Sequence, residues 1–262
     1  MQTKMPHLMF FFSITSNTFL RFSFSTRKVT FKAGTLISKH LKLTSGNISK
    51  LALEVGFDAC GVAPVRRLEK DAQFMTDWIA KGLHGQMDYL ERNCNKRYDP
   101  TLLVPGAQSV VVCLLHFQHS GRDYHRRVKS MLYTLEAKLR EQYGDDIVSH
   151  THQHIFCDSA PMLERRWCVE AGLGFIGKNH QLIHPTLGSM VHPGEILLNL
   201  PIEQDNDPIT TSTQSTTCGE CHLCIDACPT GALRNPLWDA TQCIAYTTHH
   251  CLACQLKCPY NT

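Results

Sequence analysis

Cys218, Cys221 and Cys224 are each separated by two residues, and Cys228-Pro229 follows after three intervening residues. Cys243 stands alone, and Cys251, Cys254 and Cys258-Pro259 then repeat the run in shortened form. Thiolates are soft ligands suited to iron–sulfur clusters and zinc, and this spacing is the ligand pattern of two [4Fe–4S] clusters. Two intervening residues let three thiolates converge on one cube from a single loop, while the fourth, beside proline, reaches the other cluster. The spacing therefore assigns Cys218, Cys221, Cys224 and Cys258 to one cluster. It assigns Cys228, Cys243, Cys251 and Cys254 to the other. A zinc ribbon would use only four of these thiolates, and a disulfide framework belongs to small secreted scaffolds rather than a chain of 262 residues. A chain holding two such clusters moves electrons one at a time. The other five cysteines, Cys60, Cys94, Cys113, Cys157 and Cys168, lie among apolar residues and read as buried small side chains.

A second group of residues suited to chemistry lies mid-chain: Asp158-Ser159-Ala160-Pro161-Met162-Leu163-Glu164-Arg165, followed by three glycines at 172, 174 and 177 and by Lys178-Asn179. Asp158 ends an expected strand and precedes an expected helix, a favoured ligand edge; a helix N-cap is the alternative. The glycines match G-x-G-x-x-G but follow a helix rather than a strand, so a dinucleotide loop is not indicated. Close approach of the backbone to another large ligand stays open. His150, His152 and His154 alternate as on one strand face, without the carboxylate partners that support a metal site. Asp123-Tyr124-His125 opens like a cobalamin-ligating D-x-H-x-x-G motif, but Val128 stands where glycine is required.

The elements that must position these residues are legible from periodicity. Ser45-Gly46-Asn47 opens a helix with Ile48, Leu51 and Val55 on one face and Gly56 at its stop. Residues 57–62 read as a strand with a turn at Pro64, and residues 68–80 as a helix with Phe74, Trp78 and Ile79 inward. The apolar run 109–117 fits a buried strand. Residues 124–143 carry Val128, Met131, Leu132, Leu135 and Leu139 at helical spacing, closed by Gly144. Residues 154–157 are strand-like, 161–171 helical with Pro161 near the start, and 195–200 another strand. Strands alternating with helices indicate an α/β body.

A composition of 43% hydrophobic and 19% charged residues is that of a globular protein. No apolar run approaches the roughly 18 residues of a membrane span, so no membrane association is expected. Free thiolates suit a reducing compartment, hence cytoplasm or an organelle matrix. Residues 1–53 contain eight Lys/Arg and no Asp or Glu, so the net +3 of the chain masks a formal −5 beyond them. Residues 1–40 have the composition of a transit peptide, or of a tail read from an upstream start codon, and are set apart from the fold. The body is expected over 41–205 and the cluster module over 206–262, with the hydrophilic stretch 203–217 as linker. The basic residues Arg126, Arg127, Lys129, Arg165 and Arg166 form no stripe and read as solvated helix faces; composition alone does not indicate RNA.

Taken in series, several motifs resemble the epoxyqueuosine reductase family. They are Lys96-Arg97-Tyr98-Asp99-Pro100 with Leu102-Leu103-Val104-Pro105-Gly106, Gly121-Arg122-Asp123-Tyr124-His125, the Asp158 block, the 172–179 block, Gly188-Ser189, Gly194-Glu195-Ile196-Leu197, and both cysteine runs. The resemblance spans roughly residues 45–261. It implies a mixed α+β / α/β fold, with a nitroreductase-like cobalamin-binding body and a ferredoxin-like double [4Fe–4S] module. It implies base-off cobalamin between the two, supplied with electrons by the clusters, and reduction of epoxyqueuosine to queuosine in tRNA. Asp158 takes the position of the proton donor. Arg97, Asn179, His180, Gln181 and Leu182 match the family's cobalamin contacts, as does Asp158. Cys251 and Leu252 sit where the family brings a cluster to the corrin. An external electron donor and a monomeric protein are expected.

Departures from the family pattern are also present. Only seven residues separate Cys243 from Cys251, and the loop between Phe117 and Gly121 is short. His192-Pro193 replaces a more apolar pair, and the sequence reaches Thr262 without the helical-repeat domain of many members. Two other functions share the cysteine pattern: a ferredoxin-type carrier with a vestigial body, and a corrinoid reductase of another substrate such as an organohalide.

Overall fold

A computed structural model of the chain describes residues 43–120, 123–204, 217–234, 237–248 and 251–261. The head expected over residues 1–40 and the domain boundary expected at 205/206 lie outside the described residues. Residues from His40 onward form one compact unit.

The framework is a four-stranded sheet in the order β1-β2-β6-β3, with every pairing antiparallel. Its strands are β1 (Ala59–Pro64), β2 (Ser109–His116), β3 (Ile155–Phe156) and β6 (Val191–Leu198). The architecture is therefore the α+β form of the expected class rather than a parallel α/β sheet. Helices α1 (Ser45–Val55) and α5 (Tyr124–Tyr143) cover one face. The other carries α6 (Glu164–Glu170) and the loops around Leu68 and Val104. Side chains alternate across a strand. Val111, Cys113 and Leu115 of β2 accordingly enter the α1/α5 core, and Val110, Val112 and Leu114 the α6 core. With both faces covered, β2 reads as a continuous apolar run.

Helix α1 is capped by the Thr44 side chain, which accepts from the Asn47 N–H, and closed by left-handed Gly56. Thr44 bridges Glu203, joining the two ends of the body. At Gly61 of β1 an added β-carbon would collide with the Ala171 carbonyl at the end of α6, so glycine is what lets α6 sit directly on the sheet.

Several boundaries differ from the sequence expectation. The first strand starts two residues later and β6 four residues earlier. Helix α6 begins at Glu164 rather than Pro161, because Asp158 and the residues after it form a loop. In α2 (Glu69–Ala80) Trp78 is buried, but Phe74 is exposed. His150 and His152 lie in a loop before β3, not on a strand face. Cys94, opening α3 (Cys94–Tyr98), is half-buried, with its thiol on the Leu90 and Glu91 carbonyls; Cys60, Cys113, Cys157 and Cys168 are buried. The glycine-rich stretch forms a small hairpin, β4 (Phe175–Ile176) with β5 (Leu182–Ile183).

The cysteine-rich segment carries short helices α7 (Leu223–Asp226), α8 (Ile244–Thr248) and α9 (Ala253–Leu256), and α4 (Phe117–Ser120) completes the set. It is fastened to the body at three places. Trp78 stacks on Trp238 at 5.6 Å and donates to its carbonyl at 2.6 Å. Lys178 Nζ donates to the Gly219 carbonyl at 2.7 Å. Asn261 accepts from Ser189 N–H at 2.5 Å, and Gln255 donates to the Ser189 carbonyl at 2.9 Å. Among the described residues no helix is long and apolar enough to cross a membrane.

Candidate active site

Four of the expected ligands come together. Cys218, Cys221, Cys224 and Cys258 line one small cavity, with Lys178, Asn179 and Ile183 of the hairpin loop as its body-side wall. Cys258 arrives from the second cysteine run, as crossed ligation requires. The Lys178 backbone N–H reaches Cys218 Sγ at 3.4 Å. Among the described residues no three His, Cys, Asp or Glu are gathered as tightly as a single metal ion needs. Four soft thiolates spread round a cavity fit a cube instead.

Of the second quartet, Cys254 is pushed up to about 11 by burial, with Cys224, Cys243 and Cys251 adding to the rise. Cys254 thus neighbours two expected co-ligands and one thiol of the first quartet, bringing the quartets side by side. Burial raises the Cys228 thiol, but N–H groups of Thr230, Ala232 and Leu233 and the Thr230 hydroxyl outweigh it and favour the thiolate. Leu252 caps α9 and is exposed.

On the body, Asp158 does not cap a helix: the N-cap of α6 is Leu163. Asp158 stands in the left-handed region, φ 49, where a non-glycine residue is strained. Its carboxylate accepts a short hydrogen bond from the Tyr124 hydroxyl, and His125 Nε2 lies 3.7 Å away. Its backbone N–H donates to Glu164 Oε1 at 2.7 Å, which brings the two carboxyl groups next to each other. Tyr124 is held by stacking against His192 at 3.7 Å and His125 at 3.9 Å, and His192 stacks on Phe117 at 4.2 Å.

A raised pKa is the usual expectation for a carboxyl in a partly dry pocket. Here the pair divides it the other way. Burial raises Asp158, but hydrogen bonds from Glu164 and Tyr124 and the His125 and Arg165 charges outweigh it, leaving Asp158 below the ordinary aspartate range. Burial and the Asp158 carboxylate push Glu164 up to about 8. Beneath them Glu195 of β6 is fully buried, and burial drives it well above the glutamate range. Burial holds His192 down at about 4, so that its ring is neutral.

The loop between β4 and β5 links acid and cysteines. Arg165 Nη1 donates to the His180 carbonyl at 3.2 Å, and His180 is itself left-handed, φ 57. The Asn179 side chain accepts from Gln181 N–H at 3.1 Å, and the Gln181 carbonyl accepts from Gly177 at 2.9 Å. Leu182 points into the core. Gly174 and Gly177 serve the approach of Ile183 of this hairpin rather than of a ligand. Arg97 is buried in α3 and donates to the Tyr89 carbonyl at 3.3 Å. Arg97 Nε and Asn179 Nδ2 are buried without a partner among the described residues.

The sequence reading singled out Asp158 but not Tyr124, Glu164, Arg165 or Glu195. Glu195 carried a usable signal, since a carboxylate inside an apolar strand is rarely buried without a purpose. The contacts of Tyr124 and Glu164 follow only from the tertiary fold.

A model of the 4Fe-4S double cluster binding domain matches residues 217–251. An epoxyqueuosine reductase of Cyclobacterium marinum is 34% identical over 262 residues, covering 86% of this chain and 80% of that protein. A crystal structure of epoxyqueuosine reductase with a tRNA-Tyr epoxyqueuosine-modified stem loop superposes with a TM-score of 0.71 at 26% identity, covering 82% of this chain and 64% of that one. The Bacillus subtilis epoxyqueuosine reductase, described with its catalytic aspartate loop swung out of the active site, gives a TM-score of 0.67 at 27% identity, over 83% and 65% of the two chains. The chain thus spans slightly less than two thirds of the solved proteins it matches.

Proposed function

The chain belongs to the epoxyqueuosine reductase family, and from that premise we propose that it reduces epoxyqueuosine in tRNA to queuosine, with Asp158 as the proton donor. The observation that carries this reading is the single loop joining proton and electron sources. Arg165, beside Asp158, holds the His180 carbonyl, while Lys178, two residues before His180, touches Cys218. In this reading Cys218, Cys221, Cys224 and Cys258 hold one [4Fe–4S] cluster, and Cys228, Cys243, Cys251 and Cys254 the other. An external one-electron donor feeds them.

Cobalamin fits the residues present. The Arg97 Nε and Asn179 Nδ2 donors are buried and unpartnered among the described residues, and such groups call for an acceptor. Arg97, Asn179 and the segment from His180 to Leu182 would hold its amide-bearing edge, with Cys251 and Leu252 on the cluster side. Bound cobalamin would supply a low-valent cobalt able to pass electrons to an epoxide carbon. The residues of the chain do the rest: Tyr124 and Glu164 fix the Asp158 carboxyl, which protonates the departing oxygen. Cysteines kept reduced for cluster ligation and a tRNA substrate favour the cytoplasm as the place of work, and the reading takes the protein to act as a monomer.

The test is purified protein carrying clusters and cobalamin, incubated with reductant and an epoxyqueuosine-bearing anticodon stem loop. Mass spectrometry should show loss of one oxygen. Asp158→Asn should abolish turnover with both clusters intact. Cluster-loaded protein that takes up no cobalamin and leaves the RNA unchanged would overturn the reading in favour of an electron carrier.

A further inference from the structure

Removing an epoxide oxygen breaks two C–O bonds and forms one C=C bond. It consumes two electrons, here from the one-electron donor through the clusters, and two protons that leave with the oxygen as water. Asp158 is the group facing the site, with 44% of its side chain exposed. It is nonetheless surrounded by groups that favour its ionised form. From α5 come the Tyr124 hydroxyl and His125, and from α6 the Arg165 guanidinium. An aspartate so placed cannot be a resting acid by itself; its proton has to come from a neighbour.

Glu164 is placed for that: its Oε1 accepts from the Asp158 N–H at 2.7 Å, so the two carboxyl groups are adjacent. Adjacent carboxyls disfavour each other's ionisation, so at rest the pair retains a proton. The surroundings decide which side keeps it. Glu164 rests over Glu195 of β6, whose two carboxyl oxygens are buried and unpartnered among the described residues. Cys157 precedes the pair and His192 of β6 is a neutral ring, while the Arg165 charge favours ionisation of both carboxyls, so the added Tyr124 and His125 contacts tip the charge toward Asp158.

Resting on the function proposed above, we infer that Glu164 is the proton reservoir of Asp158, passing its proton to the adjacent acid that meets the substrate. The transfer turns Glu164 into a carboxylate and Asp158 into the acid; donation to the epoxide oxygen then leaves two adjacent carboxylates. Their repulsion favours uptake of a proton from water at the exposed Asp158 side. The reloaded pair supplies the second proton of the reaction. Glu164 acts through Asp158 and is a positioning and proton-supplying residue, not one that touches substrate.

The experiment compares the fully loaded wild type with Glu164→Gln. In the wild type, kcat/KM on the epoxyqueuosine stem loop should fall only above about pH 8. In Glu164→Gln this alkaline limb should move acidward by two or more pH units, so that turnover at about pH 7.5 drops roughly 100-fold while KM changes little. A second measurement needs neither cofactor nor turnover. Infrared titration of the protein as purified should show one protonated-carboxyl band lost between about pH 6 and pH 9, absent from Glu164→Gln. An unchanged alkaline limb, or a wild type with no such titrating band, overturns the inference. Failure of the wild type to act on the RNA while the band titrates and vanishes in the variant would instead refute the substrate assignment and leave the carboxyl pair standing.

Discussion

Replacing Glu164 with glutamine should also change how stability depends on pH, independently of catalysis. Burial, with the hydrogen bond and charge of Asp158, holds the folded-state carboxyl near 8, far above the value of about 4.3 it regains on unfolding. Between those values the folded protein binds a proton that the unfolded chain does not. Stability therefore falls as pH rises through that window, by about 1.4 kcal/mol per pH unit. His192 works in the opposite sense. Burial lowers it to about 4, so it contributes stability that is complete above the free histidine value of about 6.5 and is lost as pH falls toward 4. The window from about pH 6.5 to pH 8 is therefore free of the His192 slope, and the difference between wild type and Glu164→Gln isolates Glu164. Over about 1.5 pH units that difference amounts to about 2 kcal/mol, whichever carboxyl of the pair carries the proton, because the slope counts protons bound and not their position. For a domain of this size 2 kcal/mol corresponds to about 4–8 °C in Tm. Thermal scans of cluster-loaded protein at both pH values read it directly: the wild type should lose ground to the variant as pH rises. Parallel curves would refute the reasoning, because they would mean that Glu164 is already ionised at pH 6.5.

Three further perturbations test other parts of the structure. Tyr124→Phe removes the hydroxyl that donates to Asp158; with 44% of that side chain exposed, the loss is worth roughly 1 kcal/mol after solvent screening, and the Asp158 pKa should rise in a carboxyl-carbon NMR titration. Gly174→Ala forces a β-carbon into the Ile183 carbonyl at φ 145, whereas Gly144→Ala, at φ 95, meets nothing; urea unfolding should cost roughly 3 kcal/mol or more at the first and about 1 kcal/mol at the second. Asn261→Ala removes bonds to Ser189 N–H, the Ser189 hydroxyl and the Gln255 carbonyl, so hydrogen exchange around α9 should quicken as roughly 2–3 kcal/mol of docking is lost; unchanged protection there would show that Trp78 and Lys178 hold the module alone.

What the sequence made legible was whatever depends on local period and spacing. The cysteine runs are local by construction, and helix α5 is bounded by Asp123 and Gly144 as expected, with Asp123 capping the Arg126 N–H. Phe74 was placed inward because it shares a helical face with Trp78, but α2 reaches the rest of the protein mainly through Ala72 and Trp78; periodicity gives a face, not the extent of its cover. The β4–β5 hairpin was missed because two-residue strands have no measurable alternation. Asp158 had two local readings, cap or ligand edge. The choice rests on a positive φ and on partners that include Tyr124, 34 positions away, neither of which a linear pattern carries.

Helix α6 explains why the site needs this fold. It is only seven residues long, yet its first turn supplies Glu164, which stores a proton, and Arg165, which holds the loop leading to Cys218. Further along, Arg166 meets Asp71 at 3.3 Å and Glu170, and Glu170 binds Arg66 at 2.6 Å. These surface ion pairs are each worth little, but they fix the rotation of α6 about its axis. Its depth is fixed by Gly61, which admits the Ala171 carbonyl onto β1. A helix seated higher would lift Glu164 off Asp158 and Arg165 off His180 together. Proton supply and the link to the cysteines therefore depend on one packing contact, and a larger residue at position 61 should impair both without touching any residue of the site.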